Sequence, residues 1–172
     1  IKMWEQRVSD ADDNESSFAV EWFSNRLKEA SGEVNNMMQQ FRLSEALKTI
    51  YSLIWNDFCS WYLEWVKPGM DQPISKNVYD STVAIYDRLL QLLHPYLPFV
   101  TEEIYHLLRE RAEGDDLIVM QLPSLTTPDA NMLKGGLFLQ ELITAIRDTR
   151  NKNRLKPKDT IKLWVHTQNE TQ

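Results

Sequence analysis

Between Ile54 and Trp65 the chain interleaves rings with small polar groups: Trp55, Phe58, Trp61, Tyr62 and Trp65, with Asn56, Asp57, Cys59, Ser60 and Glu64 among them. Rings stack on unpaired bases, and amides or hydroxyls beside them hydrogen-bond base edges. An aromatic stripe on a helix more often belongs to a core, and Phe58 and Trp61 are read that way. A second candidate is a basic stretch. From Lys134 to Lys162 eight basic residues, Arg147 and Arg150 among them, face Glu141, Asp148 and Asp159, a local charge of +5 in a chain whose net charge is −6. A basic segment on an acidic body suits selective contact with phosphates, although scattered lysines at a solvated helix end give the same count. The overall negative charge argues against general nucleic-acid binding.

Other chemical patterns are incomplete. Glu103-Ile104-Tyr105-His106 has the Glu-x-x-His spacing of helical di-iron sites, which need a second copy and two more inward carboxylates. The second copy is missing, and His94, His106 and His166 lie far apart in sequence. No metal site is expected, and the pair is read as a surface pair. Neither glycine-rich phosphate cradle, Gly-x-x-x-x-Gly-Lys or Gly-x-Gly-x-x-Gly, is present. Glu102-Glu103 and Asp115-Asp116 are sequence neighbours, which on a helix diverge by about 100° and read as solvated carboxylates. No catalytic residue and no cofactor site are expected here, and the stretch does not read as a stand-alone enzyme.

The totals set the frame. A chain of 172 residues suits one domain, which buries roughly 70% of its unfolded surface. Five glycines and seven prolines leave little room for a turn-rich sandwich. The single cysteine, Cys59, forms no internal disulfide and matches a reducing cytoplasm. No apolar run approaches the roughly 18 residues of a membrane span. Ile1 stands where a start methionine would, so a longer parent chain is expected.

Periodicity supplies the elements that must position these groups. Residues 1–8 read as a helix tail and Asp10–Glu15 as an acidic linker. Val20, Phe23, Leu27, Ala30, Val34, Met37 and Phe41 recur every three or four residues, one face of a helix. Leu43, Leu47, Ile50, Ile54, Phe58, Trp61 and Trp65 repeat that pattern until Lys67-Pro68-Gly69 stops it. Ser75 caps a third helix to about Leu93. His94-Pro95-Tyr96-Leu97-Pro98 breaks the chain, and Thr101 opens a short helix to about Ala112. An extended segment near 117–122, a helix from Asp129 to about Lys152 and a strand near 160–166 complete the order. The fold class is mainly all-α, an antiparallel helix bundle. Residues 16–153 form the helical domain, and 154–172 begin a truncated α/β subdomain.

Four stretches carry a resemblance. Ile54-Trp55-Asn56-Asp57-Phe58-Cys59-Ser60-Trp61-Tyr62-Leu63-Glu64 is similar to the W-x-E-F-C-D-W-Y-x-E pattern of bacterial valyl-tRNA synthetases, departing at Asp57 and Ser60. Trp22-Phe23-Ser24-Asn25-Arg26-Leu27 resembles that family's W-x-x-S-R-L. Leu92 to Tyr105 resembles L-L-H-P-x-x-P-F-x-T-E-E-I-W, a stretch shared with the isoleucine and leucine enzymes. Leu139 to Arg147 resembles V-Q-x-x-I-x-x-I-R.

The resemblance implies a class I anticodon-binding bundle within an ATP-dependent ligase that joins valine to its tRNA. ATP and magnesium would serve a parent enzyme, whose H-I-G-H and K-M-S-K-S signatures this sequence lacks. It implies a cytoplasmic, monomeric parent with the catalytic domain in the same chain, and valine tRNA as partner. The implied anticodon face is Asn56, Cys59, Ser60 and Leu63, with Lys67 near a phosphate. Trp22, Asn25 and Arg26 are further candidates, and Arg147 and Arg150 are placed near the tRNA backbone. Two alternatives remain at this point, the equivalent isoleucyl-tRNA synthetase module and a helical protein-interaction scaffold without an RNA role.

Overall fold

The computed structural model describes residues 1–10, 16–156 and 159–164. It contains two compact units, Ile1–Gly136 and Leu137–Gln172.

The first unit opens with a 3-10 turn, Lys2–Arg7, and a two-residue strand, β1 (Val8–Ser9), which pairs in parallel with β2 (Ile74–Ser75). The acidic linker expected up to Glu15 lies largely outside the described residues. Helix α1 spans Ser17–Gln39, and α4 spans Lys76–Leu93. Between them runs one continuous helical rod: α2 (Leu43–Ser52), a π-helical segment (Leu53–Tyr62) and α3 (Leu63–Val66). A short helix, α5 (Pro98–Leu108), a 3-10 turn at Leu117–Val119 and the start of α6 (Ala130–Lys152) follow. The fold is mainly all-α, as expected.

One core joins α1, the rod and α4. Phe23, Leu27, Ala30 and Val34 from α1 meet Ile50, Leu53, Phe58 and Tyr62 from the rod and Val78, Ile85 and Leu89 from α4. Phe23 lies 5.3 Å from Phe58 and 5.1 Å from Tyr62 between ring centroids, and Phe58 stacks on Tyr86 at 5.6 Å. Inside this apolar packing the Tyr62 hydroxyl donates to Thr82 Oγ1 (2.7 Å), which donates to the Val78 carbonyl (2.7 Å). Each buried hydroxyl is thereby satisfied, which burial requires.

Two details depart from the periodic reading. Beyond Ile50 the rod's buried residues are Leu53, Phe58, Tyr62 and Val66, rather than Ile54, Phe58, Trp61 and Trp65. A π-helix bonds residues five apart, so the inward line advances by five and then four positions where an α-helix would advance by three or four. Ile54, Trp61 and Trp65 flank that line, partly buried. Phe41, read as the last residue of the α1 face, is instead 87% exposed at φ 57°. It occupies the left-handed position of a helix-ending turn, with the Arg42 amide bonded to the Met37 carbonyl (2.9 Å) and the Phe41 amide to the Met38 carbonyl (3.0 Å).

The break after α4 is an ordered corner. His94 Nδ1 shares a hydrogen bond with Thr101 Oγ1 (2.8 Å), which lies 2.8 Å from the Leu97 carbonyl, tying the end of α4 to the first turn of α5. The helix starts at Pro98, where proline's missing amide costs nothing, and ends at Leu108 rather than near Ala112. Glu102 accepts the amides of Leu117 (2.8 Å) and Ile118 (3.3 Å), and the Tyr105 hydroxyl donates to Asp115 (2.9 Å). Beneath them Asp87 holds both Arg109 and the buried Arg111, the latter at 2.8 Å. The segment expected as extended near 117–122 thus begins as a 3-10 turn capped by Glu102.

In the second unit, α6 ends where Arg150 donates to the carbonyls of Lys156 and Asp159, the latter at 3.0 Å. Residues 160–164 form no strand, and the rest of the expected strand, through 166, lies outside the described residues.

Candidate nucleic-acid interface

The π-helical winding sets out the polar side chains of the rod. Residues four and five apart fall nearly in line, so Leu53, Phe58 and Tyr62 face the core while two rows run along the opposite flank. One row is Trp55, Cys59, Leu63 and Lys67. Beside it runs Asn56, Ser60 and Glu64. All except Leu63, which is partly buried, are exposed. An apolar and thiol row beside an amide and hydroxyl row offers a stacking edge next to hydrogen-bonding groups. The structure therefore brings Asn56, Cys59, Ser60, Leu63 and Lys67 together on one surface.

Local bonds hold these groups in place. Asn56 Nδ2 donates to Ser52 Oγ (3.1 Å), leaving its carbonyl oxygen on the surface, and Ser60 Oγ donates to the Trp55 carbonyl five residues back (2.9 Å). Desolvation by neighbouring groups pushes the Cys59 thiol up, which favours its neutral form. Lys67 Nζ pairs with Glu64 (2.6 Å) at the helix end. An exposed pair of this kind yields readily to a phosphate. The turn that follows is clamped by Arg7, which donates to the carbonyls of Gly69 (2.6 Å) and Gln72.

The W-x-x-S-R-L candidates stand behind this flank. Trp22 is 3% exposed, packed on Trp65 at 4.7 Å and on Phe23 at 5.9 Å between ring centroids. A Cβ on Gly136 would come within 2.0 Å of the Trp22 ring. Arg26 Nε donates to Asp57 Oδ2 (2.9 Å) and its Nη1 to Glu29 (2.9 Å), fixing the π segment against α1. Burial raises the Asp57 carboxyl, with the Arg26 charge opposing that shift. Asn25 accepts the Asp129 amide (2.9 Å), and Asp129 in turn caps α6 through the amides of Asn131 and Met132. These contacts engage Trp22, Asn25 and Arg26 with other protein groups. Arg147 and Arg150 belong to the second unit, on the last turns of α6.

Sequence reasoning passed over Tyr51. Its ring lies parallel to that of Trp55, 6.3 Å away with 8° between the planes, and both are exposed. The signal was the i, i+4 spacing of Leu47, Tyr51 and Trp55, a second stripe offset from the core stripe. Among the described residues, one group has metal-ligand types converging: Glu102, His106 and Asp116. His106 Nε2 lies 2.9 Å from Asp116 and 3.4 Å from Glu102. Glu102, rather than Glu103, is the partner at helical spacing, and its oxygens are already engaged by backbone amides.

A helical bundle whose central rod presents ring, thiol, amide and hydroxyl groups in adjacent rows has the makings of an RNA-reading surface. The family model for the anticodon-binding domain of tRNA ligase matches residues 20–165, and the chain belongs to that family. Within it, the similar proteins are valine–tRNA ligases. That of Parabacteroides distasonis is 38% identical over 165 residues, 96% of this chain and 19% of its own. Those of Porphyromonas gingivalis (39% over 163 residues) and Phocaeicola vulgatus (40% over 166 residues) are likewise covered over 19% of their length, with 95% and 96% of this chain aligned. The chain thus spans about a fifth of the length of the curated relatives it matches. No helix among the described residues is long and apolar enough to cross a membrane.

Proposed function

We propose that this chain is the anticodon-recognition module of a valine–tRNA ligase, reading valine tRNA with the outer flank of its π-helical rod. The observation that carries the reading is the paired rows, Cys59 and the partly buried Leu63 beside the exposed Asn56 and Ser60, on the flank of a segment whose other side is core. Leu63 and Cys59 give apolar contact to a splayed base. The Asn56 carbonyl and the Ser60 hydroxyl accept hydrogen bonds from base edges. Lys67 turns from Glu64 to a phosphate, and Arg147 and Arg150 contact the tRNA backbone. ATP and magnesium act elsewhere in a longer cytoplasmic, monomeric ligase whose catalytic domain is covalently continuous with this one.

The test is a fluorescence titration of the chain with a valine anticodon stem-loop and with a copy carrying a replaced middle base, each at two salt concentrations. Binding that weakens steeply with salt, as phosphate contacts require, and that is lost on the base replacement supports the reading. Preference for an isoleucine stem-loop would move the module to that ligase. Affinity for protein alone, insensitive to salt, would leave only a scaffold.

A further inference from the structure

Helices α1 and α4 and the strap of residues 123–126 line a hollow of about 450 Å³ within the first unit. Its charged lining residues are Lys28 and Arg88, joined by the hydroxyl groups of Ser24, Ser31 and Ser81, and no Asp or Glu lines it. In a chain of net charge −6 that is a local reversal of sign. Arg88, Ser31, Pro123 and Leu125 also line a second hollow of about 170 Å³, whose further walls include Val34, Met38, Leu92 and Leu122. Arg88 is the one charged group common to both.

Arg88 is held but not neutralised. Its Nη1 donates to Gln91 Oε1, and the buried Gln91 donates its own amide to the Gln121 carbonyl (3.1 Å) and to that of Met120 (3.4 Å), just ahead of the strap. A guanidinium has five N–H donors, and among the described residues Gln91 is its only hydrogen-bond partner. The adjacent Asp87 is taken by Arg109 and Arg111. Burial pulls the Arg88 guanidinium below its ordinary value, with no carboxylate offsetting that shift, and it stays charged at neutral pH. A positioned, half-buried cation with donors to spare in a concave, largely apolar site is what binds an anionic head group.

We propose that the two adjoining hollows bind a small organic acid, its carboxylate on the spare donors of Arg88 and its apolar body against Val34, Met38 and Leu92. The inference is independent of the anticodon reading, since no residue of the rod's flank lines either hollow. Three features select this ligand. The larger hollow has the volume of a small-molecule site. One half-buried guanidinium balances one negative charge, whereas a phosphate monoester would carry nearly a second charge into apolar walls. Neither hollow has an aromatic lining residue, so a nucleic-acid base finds nothing to stack on. Lys28 is exposed, its ammonium bonded to Asn25 Oδ1 (3.4 Å), and there it attracts the anion without being spent on a carboxylate.

The experiment is a ¹⁵N-NMR titration of the chain with octanoate, and in parallel with octanol, octylamine and octyl phosphate. Octanoate is expected to give saturable shifts at the amides of Ser31, Arg88 and Leu125, and to bind more tightly than the other three. Arg88→Met, which keeps the apolar stem and removes the fork, should weaken octanoate about tenfold, the effect of losing hydrogen bonds to a charged group, and leave octanol unchanged. Should that variant not fold, Leu125→Asp on the exposed part of the strap places a carboxylate in the hollow and should weaken octanoate to a similar degree. Equal binding of octanol and octanoate would overturn the proposal, because the hollow would then be merely apolar. Tighter binding of octyl phosphate would assign the site to a phosphate instead. Octanoate binding that survives Arg88→Met or Leu125→Asp undiminished, or the absence of saturable shifts at these amides, would also overturn it. Displacement of octanoate by the valine anticodon stem-loop would do the same, since Arg88 would then serve an RNA phosphate.

Discussion

The flank of the π-helical rod and the corner between α4 and α5 are both dense in polar side chains, and both coincide with stretches of distinctive sequence. They differ in where those side chains point. At the corner His94 bonds Thr101, Glu102 bonds the Leu117 and Ile118 amides, Tyr105 bonds Asp115, and Asp87 bonds two arginines. The corner's polar groups are partners of one another. On the flank, Asn56 and Ser60 use one atom each on a local anchor and present the rest to solvent. A distinctive motif can therefore encode a joint or an open polar surface, and hydrogen-bond accounting tells the two apart.

That contrast is open to attack from both sides. The largest effect is expected at the corner. Asp87→Ala leaves the Arg111 guanidinium with only the Asp115 carboxylate at 4.0 Å and should cost about 3 kcal/mol in urea denaturation, as removal of one partner of a buried ion pair does. Stem-loop affinity, measured where the variant is still folded, should stay within about twofold. A corner variant that left stability untouched, or that abolished discrimination between middle bases, would dissolve the distinction. The reciprocal variant, Asn56→Ala with Ser60→Ala, should weaken stem-loop binding about tenfold, close to 1.4 kcal/mol, and move stability by no more than roughly 0.5 kcal/mol.

A third expectation concerns the core beneath the flank. Burial pushes the Tyr62 phenol up to about 12. A phenol whose pKa is raised by folding stabilises the fold fully below its unfolded value, near 10. That contribution is lost as pH rises through about 12. Tyr62→Phe should be less stable by about 1 kcal/mol at neutral pH and should lose less stability than the parent between those two values. Equal alkaline loss in both chains, read by circular dichroism, would remove Tyr62 as the cause. The smallest effect is expected at Lys67. Lys67→Gln should reduce the salt slope of stem-loop binding by about one and leave base discrimination unchanged.

Much of the frame was legible in the residues. The stripe from Phe23 to Val34, the stop at Lys67-Pro68-Gly69 and the start of α4 after Ser75 all follow from periodicity and from proline's missing amide. The rotation of the rod was not legible. Sequence periodicity assumes the α-helical advance, and nothing in Leu53 to Tyr62 announces that hydrogen bonds there span five residues. Phe41 was misplaced for a related reason, since a left-handed turn position ordinarily calls for glycine and an apolar residue in register reads as core. Of the candidate site residues, Asn56, Cys59, Ser60, Leu63 and Lys67 share a surface. Trp22, Asn25 and Arg26 are engaged with other protein groups behind it, which spacing alone does not reveal. The motif supplied residue types, and burial then sorted exposed side chains from packed ones.

The most direct measurement is a ¹⁵N-NMR titration of the chain with the valine anticodon stem-loop, mapping which amides respond. Shifts are expected at Asn56, Cys59, Ser60 and Leu63 that vanish when the middle base is replaced, with His94, Thr101 and Tyr105 silent. Shifts centred on that corner, or a π-helical flank that stays silent while the stem-loop binds, would contradict it.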